Sequence, residues 1–212
     1  MINELRMYTT RPGKMKDVVN ASATVAQKIR GGDTYGKLIG HWWSEIGKMN
    51  QYVHMWEYKD PEEMRRLRSE LAAKEDWKNK FVPLVGPNIL TQEIRLLRPL
   101  TEIKKPVNSS NTYELKIIKL NIGQSAKWAK KFLEIVGLIE NSSINIGIWN
   151  TELQDPNEII SLWSHPNLEK MSKYWHDLES NKDWNDFNNY QENSVKSEEN
   201  IILKSSICSP LQ

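Results

Sequence analysis

Three short runs place chemically capable groups at every second position. Glu4, Arg6 and Tyr8 form the first, His54, Trp56 and Tyr58 the second, and Glu93 and Arg95 the third. Alternate side chains of a strand share a face, so each run presents its charged and aromatic groups together. Two chemistries fit. An ion-pair and aromatic network would tie neighbouring strands and fix a core, because buried charge without a partner is costly. The same groups could instead line a pocket for a small hydrophobic, aromatic or conjugated ligand. In that case His54 is the proton-transfer candidate, since an imidazole titrates near neutrality.

His41, Glu45 and His54 raise a metal site, because imidazole and carboxylate suit zinc or iron. Strand spacing puts His41 and Glu45 on one face, but His54 belongs to a face assigned on other grounds, and no third fixed ligand accompanies them. The expectation is therefore no metal and no cofactor. The sequence has no Ser/His/Asp elbow, Gly-rich phosphate loop or zinc spacing, so no catalytic residue is assigned. Gly31-Gly32 reads as a helix stop. The charge run from Glu62 to Glu70 reads as the solvated face of an amphipathic helix, with Glu-to-Arg support three and four residues apart, as from Glu62 to Arg66.

The elements that position these groups follow from pattern. Ile2 to Thr9 alternates like a half-buried strand, and Met15 to Ile29 has helical spacing, stopped by Gly31-Gly32. Lys37 to Glu45 and Gln51 to Tyr58 are strand-like around the turn Gly47 to Asn50. Asp60-Pro61-Glu62-Glu63 opens a second helix, with Asp as cap, Pro in the first turn and acids at the positive dipole end. A shorter helical stretch starts at Glu75-Asp76-Trp77, and Ile89 to Leu97 closes the unit as a strand. The order strand, helix, strand, strand, helix, strand is that of the split β-α-β, ferredoxin-like unit.

That unit occurs twice. Trp42, Trp56 and Trp77 map onto Trp149, Trp163 and Trp184 at an offset of 107, while Gly13 and Gly123 match at 110. A period of this length exceeds the roughly 20 to 50 residues of solenoid repeats and has the size of a domain. One sheet face of each copy lacks a cover, so the expected fold class is α+β: tandem ferredoxin-like (βαββαβ) repeats whose antiparallel sheets close into one α/β barrel with helices outside. The expected division is 1–99 for the first repeat, 100–112 for a linker, 113–204 for the second, diverged repeat and 205–212 for a tail. If Leu5, Met7, Val53, Met55, Ile94 and Leu96 pack beneath the helices, then Glu4, Arg6, Tyr8, His54, Trp56, Tyr58, Glu93 and Arg95 all point into the barrel interior.

Composition narrows the partners. The 212 residues are 39% hydrophobic and 26% charged, with a net charge of +2, which is the balance of globular proteins. Acids and bases are interspersed and form no basic stripe, which argues against a nucleic-acid partner. No apolar run reaches the roughly 18 to 20 residues that cross a bilayer, so no transmembrane segment is expected. The first strand pattern starts at Ile2, leaving no room for a transit peptide within the sequence. A single cysteine, Cys208, excludes an intrachain disulfide.

Several motifs in order give a resemblance: Glu4-Leu5-Arg6-Met7-Tyr8 with Arg11-Pro12-Gly13-Lys14, Leu38-Ile39-Gly40-His41-Trp42-Trp43-Ser44-Glu45-Ile46-Gly47, Asn50-Gln51-Tyr52-Val53-His54-Met55-Trp56-Glu57-Tyr58, and Gln92-Glu93-Ile94-Arg95-Leu96-Leu97-Arg98-Pro99. The first repeat resembles the NIPSNAP family of the dimeric α/β-barrel superfamily. The second keeps Trp149, Trp163 and Asp183-Trp184 but has Ser161 for His54 and Ile201 for Arg95. Ser209-Pro210-Leu211-Gln212 is similar to the ending of eukaryotic two-repeat members. The resemblance implies a non-enzymatic adaptor or sensor, mitochondrion-associated, binding protein partners such as autophagy adaptors in mitophagy or acting in vesicle-related binding. Cytoplasm is the alternative compartment, and homo-oligomer formation stays open. The alternative function is a small-molecule carrier or cofactor-independent oxygenase using the barrel interior. The Asn-rich stretch 181–193 departs from the family pattern and has no chemical account at this level.

Overall fold

The computed structural model describes residues 1–106 and 112–212. Eight strands follow in chain order as β1 (Ile2–Thr10), β2 (Lys37–Ile46), β3 (Gln51–Tyr58), β4 (Ile89–Pro99), β5 (Thr112–Leu120), β6 (Ile144–Leu153), β7 (Glu158–His165) and β8 (Val195–Ser205). The protein is α+β, and the strands form a closed antiparallel barrel in the order β1-β3-β2-β8-β5-β7-β6-β4. Two compact units make up the chain: Met1–Arg98 with Leu203–Gln212, and Pro99–Ile202. Part of the expected linker, residues 107–111, lies outside the described residues. Within its described part, Leu100 and Lys104 donate backbone N–H to the Ile148 and Ile146 carbonyls at 2.8 Å each.

In the first unit the helix after β1 runs through Met15–Ala21, a π-helical segment Ser22–Ala26, and Gln27–Arg30. It ends where Gly31 turns left-handed (φ 65), a conformation that costs glycine least. Asp60 caps the helix Pro61–Ala73 by accepting from the Glu63 amide at 2.8 Å. A second π-helical segment, Trp77–Phe81, leads into Val82–Val85. The second unit uses regular helices instead: Ser125–Ile139, Leu168–Leu178 and Lys182–Gln191. The last of these resolves the Asn-rich stretch into a helix whose cap is Asn181, accepting from the Trp184 amide at 3.0 Å.

Strand register decides which side chains travel together. Leu5 pairs with Met55 and Met7 with Val53, and all four are buried. Arg6 pairs with His54, Glu4 with Trp56 and Tyr8 with Tyr52 on the opposite face. That mixed face is the one that meets the helices: Tyr8 and Tyr52 pack with Met15, Val18, Val19 and Val85, and Trp56 and Tyr58 pack with Met64 and Leu67. For β1 and β3 the sequence expectation had the faces the other way round, whereas Ile94 and Leu96 of β4 pair with Arg6 and Glu4 on the helix side, as expected. Alternation groups residues by face but does not say which group the helices cover. The helices here offer Ser22, Arg30 and Arg68 as polar partners, which an aliphatic face could not use.

Candidate functional site

Between the sheet and helices of the first unit lies a cavity of about 270 Å³. The strands contribute Arg6, Tyr8, Tyr52, His54, Trp56, Ile89 and Gln92; the helices contribute Val18, Ser22, Ala26, Arg30, Arg68, Trp77, Phe81, Val82 and Val85. Both π-helical segments lie on its wall, through Ser22 and Ala26 and through Trp77 and Phe81. Such segments hold under 1% of residues in ordinary proteins and concentrate at functional sites.

Of the eight expected site residues, Arg6, Tyr8, His54 and Trp56 line this cavity. Glu4 stands behind it, 2% exposed, pairing with Arg6 at 2.8 Å and with Arg68. Tyr58 is buried beside Trp56, its hydroxyl without a partner among the described residues. Glu93 and Arg95 do not join the cavity. They lie opposite Met7 and Leu5 in the β1–β4 register, on the face turned away from the helices. There Arg95 pairs with Glu93 at 3.2 Å and touches the Met7 sulfur at 3.6 Å. That is the face expected for them; their expected companions on β1 and β3 lie on the other one.

Two imidazoles sit side by side across β2 and β3, with His41 opposite His54 and ring centres 6.3 Å apart. Trp56 Nε1 donates to His54 Nδ1 at 2.5 Å, which puts the proton of a neutral ring on Nε2. Burial, then the charges of His41, Arg6, Arg68 and Arg30, hold His54 well below the usual histidine range. Burial and Arg30 hold His41 at about 3. His41 is clamped at both nitrogens, Nδ1 to Ser206 Oγ at 2.7 Å and Nε2 to Ser22 Oγ at 3.0 Å, and Ser22 in turn meets the Tyr52 hydroxyl at 2.5 Å. Glu45 is exposed and pairs with Lys204 at 3.7 Å. Among the described residues no three His, Cys, Asp or Glu side chains group to hold a metal.

Arg30 completes the wall. It is 5% exposed, gives Nη1 to the Tyr35 carbonyl at 3.1 Å, and lies over Trp56 at 3.8 Å and Trp77 at 5.5 Å. Burial lowers it to about 10, with Arg68 adding to the effect, so it stays charged at neutral pH. Arg68 also corrects the sequence reading: one member of the charge run turns inward, while Glu62 and Arg65 at 3.8 Å and Arg66 and Glu70 at 2.9 Å make the surface pairs. Both arginines were legible as charges on apolar stripes. Arg30 falls four residues after Ala26, and Arg68 four after Met64 and three before Leu71.

In the second unit the equivalent positions carry aromatic and aliphatic side chains packed together. Val18, Ser22, His41, Tyr52 and Tyr8 are matched by Trp128, Phe132, Ile148, Ile159 and Ile118, which pack in one core with Phe187 and Trp163. Only the polar support is kept: Glu114, where Glu4 maps, accepts from Trp175 Nε1 at 2.9 Å and lies 3.6 Å from Lys116 and 3.3 Å from His165. The first helical stretch spans 15–30 and its counterpart 125–139, one residue fewer. The π-helical turn absorbs the extra residue and lets Arg30 take the buried terminal place that Ile139 holds.

The NIPSNAP family model matches residues 3–102 and again 113–210. The chain is 27% identical over 168 residues to Protein NipSnap homolog 3A of Homo sapiens, covering 76% of this chain and 65% of that protein. To Protein NipSnap homolog 1 of Danio rerio it is 21% identical over 217 residues, covering 99% and 76%. The chain thus spans about two thirds of the length of such relatives, 65% for homolog 3A. Among solved structures, an anthrone oxidase-like protein matches with a TM-score of 0.70 at 8% identity over 97% of this chain and 91% of that chain. At that identity the likeness is one of fold.

Proposed function

This chain belongs to the NIPSNAP family, and from that premise we propose a non-enzymatic sensor: the first unit receives a small ligand in its cavity, and the protein acts on its surroundings through protein partners. The observation that carries the reading is the contrast between the copies, one hollow, polar and π-helical where the other is packed with aromatics. An unfilled polar space costs stability, and the same fold can be built without it. Family membership supports mitochondrial association and autophagy adaptors as partners, or a role in vesicle-related binding.

The oxygenase alternative draws on the name of the anthrone oxidase-like neighbour, and the geometry favours it less. A general base works best with a pKa near the operating pH. His54 on the cavity wall and His41 beside it are both held far below that, chiefly by burial. They serve better as fixed hydrogen-bonding groups than as proton carriers.

Native mass spectrometry of the freshly purified full chain tests the reading, beside a Val18→Trp variant that copies Trp128 and fills the cavity. The expected result is a retained small molecule in the parent and none in the folded variant. Equal retention in both would place the ligand elsewhere, and an empty parent that binds no added small molecule would remove the sensor reading.

A further inference from the structure

Resting on that reading of the cavity, we propose that its ligand is a small organic monoanion with a planar aromatic body, in chemical class an aryl carboxylate, whose charge is met by Arg30. The balance of charge at the wall carries this. Arg6, Arg30 and Arg68 line the cavity and no acidic residue does. Glu4 serves two of them, at 2.8 Å from Arg6 and in contact with Arg68. Arg30 has no carboxylate partner among the described residues; it meets a backbone carbonyl and two indole faces. A buried cation in that condition is costly to keep, and an incoming carboxylate supplies the missing counter-charge in the planar, two-pronged form that guanidinium matches.

Neighbouring donors point the same way. His54 carries its proton on Nε2, since Nδ1 accepts from Trp56. The Tyr8 hydroxyl accepts from Arg6 at 3.2 Å, which leaves its own proton to give. The rest of the wall suits a flat ring: Tyr8 and Tyr52 stack with centres 5.3 Å apart and planes within 17°, and Trp77 and Phe81 add aromatic surface. At about 270 Å³ the space falls just under the roughly 300 to 1,000 Å³ of drug-sized sites, so it suits one or two rings. Guanidinium matches phosphate as well as carboxylate, but inorganic phosphate would leave the aromatic wall unused, so the flat ring sets the preference.

Isothermal titration calorimetry on the full chain, with 2-naphthoate, 2-naphthamide and inorganic phosphate as probes, decides the matter. We expect naphthoate to bind on the order of ten- to a hundredfold tighter than naphthamide, the effect of one charge-assisted pairing. Phosphate should not compete. Arg30→Gln should erase the preference and Arg30→Lys keep part of it. Should Arg30→Gln fail to fold, the two organic probes on the unaltered chain still give the answer. Equal affinity for both would overturn the anion proposal and leave the cavity reading standing. Competition by phosphate as strong as by naphthoate would overturn the aromatic half. Binding of neither organic probe, with an empty native mass spectrum, would overturn the cavity reading itself.

Discussion

Arg30 lies with its guanidinium 3.8 Å above the ring centre of Trp56, and the same indole donates to His54. One aromatic ring thus holds a cation on its face and an imidazole at its edge. The charge, the ring and the imidazole are in direct contact through one indole.

Replacing the cation with an apolar group of similar length separates stability from binding. Exchanging buried ionic groups for packed hydrophobic ones is often neutral or stabilising. Arg30→Met should therefore melt at the parent temperature or above it, while losing affinity for an anionic probe. A loss of more than about 2 kcal/mol in denaturant titration would show instead that Arg30 holds the fold together.

Trp56 is 2% exposed and its counterpart Trp163 is fully buried. Truncation of either to alanine should cost about 3 to 5 kcal/mol, as for other large core side chains. Equilibrium unfolding by urea provides the check, and an unchanged midpoint in either variant would contradict the packing described for that unit.

Acid should weaken the fold through the two imidazoles. His41 is held at about 3, by burial and by Arg30, against 6.5 for a free histidine, and His54 is displaced in the same direction by burial and its charged neighbours. Below about pH 6.5 the unfolded chain therefore binds more protons than the folded one. Stability is full above that pH and falls as pH drops toward about 3, at about 1.4 kcal/mol per pH unit for each histidine. Urea unfolding across this window should show a shallower slope in His41→Gln and His54→Gln. An identical slope in both would trace the acid sensitivity to carboxylates.

Gly40 and Gly147 each lie beneath the indole two residues later, Trp42 and Trp149, where an added Cβ would collide with the ring. In both copies a register irregularity accompanies the motif, between Leu38 and Gly40 and between Asn145 and Gly147. Gly40→Ala should cost about 1 to 3 kcal/mol through forced repacking. A melting curve superimposable on the parent's would mean that Trp42 has room to move.

The fold was legible because it rests on short-range signals and a repeated pattern. The Asp60-Pro61 cap, the Gly31 stop and the fixed Trp offset each report a local or periodic requirement. The site was half legible. Arg6, Tyr8, His54 and Trp56 could be grouped by alternation, but the side of the sheet they occupy depends on what the helices present, and Ser22, Arg30 and Arg68 present polar groups there. Glu93 and Arg95 part from that group because the β1–β4 register sets them opposite Met7 and Leu5, on the face away from the helices. Arg30 and Arg68 stood in view as charges interrupting apolar stripes; ending the first helix at Ile29 left Arg30 out, and reading Glu62 to Glu70 as a solvated face hid Arg68. The π-helical turns have no signature in a single sequence.

One of those turns has a genetic consequence. Removing a single residue from Ser22–Ala26 would turn the π-helical segment into ordinary α-helix and give the first helix the length of its counterpart. Arg30 would keep the inward place that Ile139 holds, and what would change is the backbone that carries Ser22 and Ala26 on the cavity wall. The π-helical and α-helical forms of this wall therefore differ by one in-frame codon, so an indel here can recontour the cavity in a lineage while leaving Arg30 and the barrel's strands as they were.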